Sequence, residues 1–287
     1  MIPSLQVAGS KVSISRVGFG CARIYGRSEI KASTQLIEAA LSAGIRHFDT
    51  TPSYGGGLSE AVVGAVLAGV KDVTITTKVG IGRPDRTVTP YSRGALYRRF
   101  VRPIISRLPR TKARLLRLIR RRDDGVSTTD PDAQRRYLSR EEVLRELDDS
   151  LKQLRRNYVD LYLIHEPGQF ELTDDLKELL ASLKSKGTIG AFGLAWGRVA
   201  TTGMSFGTVR QGRYSADLPT YGLEGETRIF HGALRHPDYG MDAHGRMRDA
   251  GSWMRDVLKA HSDAAIIFSA SAPLQIRCVM RNLEWTS

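Results

Sequence analysis

"HFDTTPSYGGG", residues 47–57, runs from a short, mostly apolar segment through Asp49, turns over Thr-Thr-Pro-Ser, presents Tyr54 and passes three glycines into a helix-like stretch. A buried strand that ends on a polar loop and feeds a helix is half of a strand–helix unit. The fold then depends on how often that unit repeats. Further short apolar runs stand at "VGFG" (17–20), "VTITTKVG" (73–80), "VDLYLIH" (159–165), "AFGLAW" (191–196), "VRQGRYS" (209–215), "RIFHGAL" (228–234) and "AAIIFSAS" (264–271). With "RHFDTT" (46–51) they make eight. They are mostly continuous rather than alternating, which suits strands covered on both faces. Segments of helical periodicity fall between them at 32–43, 59–69, 140–154, 173–186, 246–261 and 273–282. Ser59 stands before "EAVVGAVL" as a candidate cap, and Ser139 with Glu142 forms a capping-box pattern.

Eight strands alternating with helices predict a parallel (β/α)8 barrel, with an open doubly wound sheet as the structural alternative. "LQVAGSKVSI" before the first of these strands reads as a hairpin turning near Gly9-Ser10. The expectation is one domain over 1–287, an α/β TIM barrel with an N-terminal β-hairpin, carrying a basic insertion at 83–138 after strand three. The loops at 198–208 and 216–227 are poor in helix signal, so one or two barrel helices are expected to be reduced.

The formal net charge is +13. Between Arg83 and Arg122, however, fourteen Lys and Arg face one acidic residue, Asp85, which leaves 29 of each sign in the rest of the chain. The high pI therefore describes one segment and not the body of the protein. Cys21 and Cys278 show neither metal-ligand nor redox-pair spacing, and no metal site is expected. Reduced thiols, no secretory leader pattern and no apolar run long enough to span a bilayer make a soluble, cytoplasmic protein the expectation.

In such a barrel, functional residues sit where strands end at the C-terminal face. Asp49 closes strand two, Tyr54 lies in the following loop, Lys78 closes strand three and His165 closes strand four. A phenol with a pKa of about 10 is a poor acid at neutral pH. A neighbouring ammonium favours the phenolate and eases proton donation, so Lys78 is expected to lower the pKa of Tyr54. Asp49 would keep that lysine charged, and His165 could polarise a carbonyl oxygen. Each residue alone has a structural reading: a helix cap, a packed ring, a snorkelling stem, a core imidazole. Their joint placement at successive strand ends is what points to chemistry.

"VGFGCARIYG", "GIRHFDTTPSYGGG", "TITTKVG" and "YVDLYLIHEP" resemble the signature blocks of the aldo-keto reductase family, whose fold is an eight-stranded barrel with an N-terminal hairpin. The match is good over 12–82 and 139–170, moderate over 187–215 and 264–283, and slight over 83–138. The resemblance implies a nicotinamide cofactor, NADP(H) with NAD(H) as the second possibility, and a small-molecule carbonyl or alcohol substrate. It also implies a catalytic tetrad of Asp49, Tyr54, Lys78 and His165. On the cofactor side it points to Gly20 and Cys21 after the first strand, Gln211 for the carboxamide, and His231 against the nicotinamide ring. Ser269, Ser271 and Gln275 would meet phosphate, with Arg277 toward a 2′-phosphate. Two departures stand out: the family's Ser/Asn-like carboxamide pair falls on Ala195 and Trp196, and an acidic-Asn pair falls on Cys278 and Val279.

The basic stretch 93–122 interleaves apolar residues with arginines at roughly helical spacing, interrupted by Pro103 and Pro109. It reads as a lid, or as a docking face for an anionic partner or surface. Nothing in it matches a specific nucleic-acid motif. "DDGVSTTDPDAQRR" then reads as a polar connector. At the level of function, a carbonyl reductase or alcohol dehydrogenase competes with a slow or inactive nucleotide-binding regulatory subunit on the same scaffold.

Overall fold

The structure is a computed structural model that describes residues 2–24, 30–83, 138–168, 171–196, 206–214, 225–236, 239–240 and 248–283. The basic insertion and the connector after it lie outside the described residues, except for Arg83 and Leu138. Most of the two helix-poor loops lies outside them as well.

Strands β1 (Ser4–Gln6) and β2 (Ser13–Ser15) form an antiparallel hairpin. Gly9 takes φ +60° in its turn, a conformation that costs glycine little. Eight parallel strands then close a barrel: β3 (Val17–Gly20), β4 (His47–Asp49), β5 (Thr74–Val79), β6 (Val159–His165), β7 (Ile189–Ala195), β8 (Val209–Arg213), β9 (Thr227–His231) and β10 (Ala264–Phe268). Neighbours follow chain order, and β10 pairs β3 to complete the ring. The (β/α)8 expectation holds, and the open sheet is excluded by that pairing.

Among the described residues the α-helices are α1 (Ile30–Ser42), α2 (Ser59–Leu67), α3 (Arg140–Leu154), α4 (Asp174–Ser185), α5 (Ala250–Ala260) and α6 (Pro273–Arg281). Each buries one stripe against the outer wall. On α3 the stripe is Val143, Leu147 and Leu154, and on α4 it is Leu176, Leu179, Leu180 and Leu183. Burying one such side chain is worth about 1.5–3 kcal/mol. Ser139 caps α3, its hydroxyl accepting from the Glu142 N–H at 3.2 Å. Ser59 is not a cap. It is the first residue of α2 and fully buried, and its hydroxyl meets Thr50 Oγ1 at 3.0 Å and donates to the Cys21 carbonyl at 3.3 Å. Its role is to tie the helix start to the ends of β3 and β4.

Strand alternation sets the barrel's contents. The lower interior holds Leu161, Leu163, Ala191, Val209, Ile229, Ala265 and Ile267, with Val7 and Ile14 of the hairpin packed among them as a plug. The Ala8 N–H donates to Thr227 Oγ1 at 2.8 Å, fastening the plug to β9. With the lower end closed by apolar packing, polar interior residues collect toward the upper end, where the strands finish.

Candidate active site

Register gives the polar set one parity, so that all of it faces the same side of the sheet. Asp49 is opposite Gly20 on β3 and Thr76 on β5, Lys78 is opposite Leu163 on β6, and His165, Ala195 and Gln211 are successive partners across β6, β7 and β8. Strand alternation alone therefore turns Gly20, Asp49, Lys78, His165 and Gln211 to the interior of the mouth.

Lys78 and Asp49 form a buried ion pair, Nζ to Oδ1 2.7 Å, with side-chain exposures of 2% and 3%. Two charges taken out of water are tolerated only when further hydrogen bonds satisfy them. The ammonium also donates to the Thr50 carbonyl at 2.9 Å, and Asp49 Oδ1 accepts from Gln211 Nε2 at 3.0 Å. The Lys78 ammonium lies 5.4 Å from the centroid of the Tyr54 ring, a cation–π distance. Tyr54 meets His165 edge to face, with centroids 6.5 Å apart and planes at 88°. His165 Nδ1 makes a long contact of 3.5 Å with Thr51 Oγ1. The four side chains named from the sequence thus surround one small volume.

The three glycines after Tyr54 explain its placement. Gly55, Gly56 and Gly57 take φ of +61°, +67° and +82°, and a Cβ on Gly55 would come 2.1 Å from the Ile24 carbonyl oxygen. Only a residue without a side chain lets the turn carrying Tyr54 lie this close to the loop after β3.

Burial pushes the Tyr54 phenol above its ordinary value, and the charges of Asp49, Cys21 and Glu166 push it the same way. The expected lowering by Lys78 does not prevail, because desolvation of a phenolate outweighs an ammonium already neutralised by Asp49. Tyr54 is thereby held protonated. The Cys21 thiol is also pushed up, first by burial and then by Asp49. Burial holds His231 below its usual value, and its Nε2 sits 3.0 Å from the Trp196 carbonyl oxygen.

At the junction of β10 with β3, Ser269 Oγ donates to the Gly20 carbonyl at 2.7 Å. A Cβ on Gly20 would fall 2.8 Å from that hydroxyl, so the glycine permits the approach. Gln275 Oε1 accepts from the Ser271 and Ala272 N–H groups at 2.7 and 3.2 Å, closing the start of α6. Ser271 Oγ accepts from Arg23 at 2.7 Å. Neither serine caps the helix. Arg277 and Cys278 are exposed on α6. Ala195 offers no side-chain donor, and the Trp196 indole lies under the Arg210 guanidinium, 5.1 Å from its carbon.

Two participants had no separate sequence signal: the Thr50 carbonyl, a backbone group, and Arg23, which reads as an ordinary loop charge. The Gln211–Asp49 bond spans 162 positions and joins strands that are not neighbours in the barrel.

The family model for the "Aldo/keto reductase family" matches residues 16–202. The chain belongs to the aldo/keto reductase family. Aldo-keto reductase YhdN of Bacillus subtilis is 26% identical over 196 residues, covering 66% of this chain and 46% of that protein. D-threo-aldose 1-dehydrogenase of a Pseudomonas species is 25% identical over 206 residues, covering 67% and 52%. The chain spans about half the length of these curated relatives. Among solved structures, the holo form of aldo-keto reductase AKR11C1 from Bacillus halodurans superposes with a TM-score of 0.65 at 19% identity, over 100% of this chain and 92% of that one. Glycerol dehydrogenase AKR11B4 from Gluconobacter oxydans gives 0.66 at 18% identity, over 99% and 91%. These superpositions establish a shared fold.

The reductase family implies a nicotinamide cofactor, and the buried mouth can be tested for it. Gln211 is 3% exposed, and its Oε1 is buried without a hydrogen-bond partner among the described residues. An unsatisfied buried acceptor costs about 1–3 kcal/mol. An incoming amide N–H would satisfy it, so the residues present fit a carboxamide at this point.

Proposed function

We propose that this chain is a nicotinamide-dependent oxidoreductase that interconverts a carbonyl and an alcohol on a small molecule, with NADP(H) preferred over NAD(H). The observation that carries the reading is the buried Lys78–Asp49 pair set against the Tyr54 ring, beside the unsatisfied Gln211 acceptor. Gln211 Oε1 would take the carboxamide, His231 would lie against the ring, and Gly20 and Cys21 would line its edge. Ser269, Ser271 and Gln275 would face the phosphates. The unpaired Cys21 and Cys278 suit a reducing, cytoplasmic setting.

When bound, the cofactor supplies a hydride to the carbonyl carbon or removes one from the alcohol. The chain's own part is the proton. His165 holds the substrate oxygen, and Tyr54 gives that oxygen its proton as negative charge develops there. Lys78 faces the phenolate left behind, while Asp49 and the Thr50 carbonyl fix the ammonium in place. A raised phenol pKa suits this direction: Tyr54 keeps its proton until an alkoxide, a stronger base than phenolate, draws it off. For alcohol oxidation the same residue must first lose its proton, so that direction gains with rising pH.

The test follows NADPH absorbance with a panel of aldehydes, ketones and sugars. The relative named for aldose oxidation makes polyhydroxylated carbonyls the first to try. Tyr54→Phe is expected to lower turnover by about 10²–10⁴ while leaving dinucleotide binding intact. Equal rates in the two proteins would remove Tyr54 from the reaction.

A further inference from the structure

We propose that Thr51 is a positioning residue for the reaction: its hydroxyl donates to His165 Nδ1 and so keeps the ring proton on Nε2, the nitrogen that meets the substrate oxygen. The assignment rests on the carbonyl–alcohol reading above. Thr51 is fully buried two positions after Asp49, where the chain leaves β4. Its two polar groups reach the two residues that would flank the substrate oxygen. The Thr51 carbonyl accepts from the Tyr54 N–H at 3.1 Å, and Thr51 Oγ1 lies 3.5 Å from His165 Nδ1. The Tyr54 and His165 rings in turn stand edge to face.

Burial gives this hydroxyl little choice. A hydroxyl taken out of water without a partner costs free energy, and among the described residues the hydrogen bond of Thr51 Oγ1 is the one to the His165 ring. The contact is long, as bonds between catalytic groups often are before substrate binds, and such bonds tighten in the complex. Local chemistry aims the hydroxyl. Pro52 disfavours the helical region for the residue before it, and a β-branched side chain is stiff at χ1.

The direction of the bond follows from what the other nitrogen must do. In a neutral imidazole one nitrogen carries the proton and the other a lone pair, and the bond made by one fixes the state of the other. With Nδ1 turned to Thr51, Nε2 is the nitrogen for the substrate. A lone pair there would oppose those of a carbonyl oxygen, whereas an N–H donates to them. A hydroxyl rotates to donate or accept, so Thr51 supplies the hydrogen that Nδ1 needs. The Tyr54 bond adds a second effect. The backbone that carries this hydroxyl also holds the turn that carries the phenol, so the proton donor and the group holding the oxygen keep one spacing.

The test compares wild type with Thr51→Val, which keeps the shape and removes the hydroxyl, and Thr51→Ser, which keeps the hydroxyl. Thr51→Val is expected to lower kcat about three- to tenfold, the worth of one neutral hydrogen bond, with KM for NADPH unchanged. Thr51→Ser should recover kcat to within about twofold. Long-range ¹⁵N–¹H correlations of the imidazoles, with His165 assigned through His165→Gln, read the tautomer without turnover. Wild type and Thr51→Ser should show a bare Nδ1 and a protonated Nε2; Thr51→Val should shift the Nδ1 resonance and raise the share of the Nδ1–H form. Unchanged turnover or unchanged ring shifts in Thr51→Val overturn the assignment. So does a loss in Thr51→Val that Thr51→Ser fails to recover, since that marks packing and not the hydroxyl. If the wild type turns over no carbonyl or alcohol, the oxidoreductase reading falls, and the ring shifts alone decide whether Thr51 sets the tautomer.

Discussion

His47, directly beneath the site, is expected to make the barrel acid-sensitive. It is fully buried on β4 two positions before Asp49, with Nδ1 3.0 Å from Thr74 Oγ1 and Nε2 3.2 Å from Thr76 Oγ1. Its pKa is pushed down to about 4 from 6.5, first by burial, with Asp49 pulling up and Lys78 pushing down. The two charges are paired and largely cancel, so desolvation decides the outcome. The folded state refuses a proton that the unfolded chain takes up below its own pKa. Stability from this group is therefore complete above about pH 6.5 and is lost as pH falls toward about 4. At 1.36 kcal/mol per unit, the shift amounts to about 2 kcal/mol lost at pH 5 and about 3 at pH 4. Urea unfolding of wild type and His47→Gln between pH 7.5 and 5 isolates the effect, because other titrating groups appear in both proteins. The wild-type curve should fall more steeply, closing the gap between the proteins by about 2 kcal/mol at pH 5. Parallel curves would refute the reasoning. So would a His47 ring resonance in the folded protein that titrates near its ordinary value.

The remaining predictions concern the site itself. Asp49→Asn and Lys78→Met should each cost about 3–5 kcal/mol, since each leaves one buried charge without its counter-ion, while the double variant should cost well below their sum. Unfolding free energies from urea titrations that add within about 0.5 kcal/mol would show that the pair is not coupled. Gly55→Ala should displace Tyr54, because its Cβ would strike the Ile24 carbonyl at 2.1 Å, and turnover should fall at least about tenfold for a displacement of that order. Gly56→Ala has the same sign of φ, but nothing lies within 4 Å of its Cβ. It should cost only about 1 kcal/mol of backbone strain. Equal effects of the two on turnover would argue against the steric explanation.

The barrel was legible because a parallel strand covered on both faces must be apolar along its length and can turn polar only where it stops. Asp49, Lys78 and His165 stood out by breaking such runs at their ends. Strand limits were less legible. "RHFDTT" shortens to His47–Asp49: the Thr50 N–H still bonds the Thr76 carbonyl, but its own carbonyl serves Lys78 and its hydroxyl meets Ser59. Ser59 had the sequence of a cap and the position of a tether, a distinction that depends on where the end of β3 lies in space. The Tyr54 phenol misled for a related reason. The sequence shows which charges are nearby, but desolvation is a property of packing, and here it outweighs them. Gln211 was read for the cofactor alone, yet its amide nitrogen also donates to Asp49, and its oxygen is the atom left without a partner for a ligand to meet. Contact across the barrel between non-neighbouring strands leaves no trace in periodicity or spacing. Arg23 shows the same limit at the rim: its partner Ser271 is 248 positions away, and only closure of β10 onto β3 brings the two together.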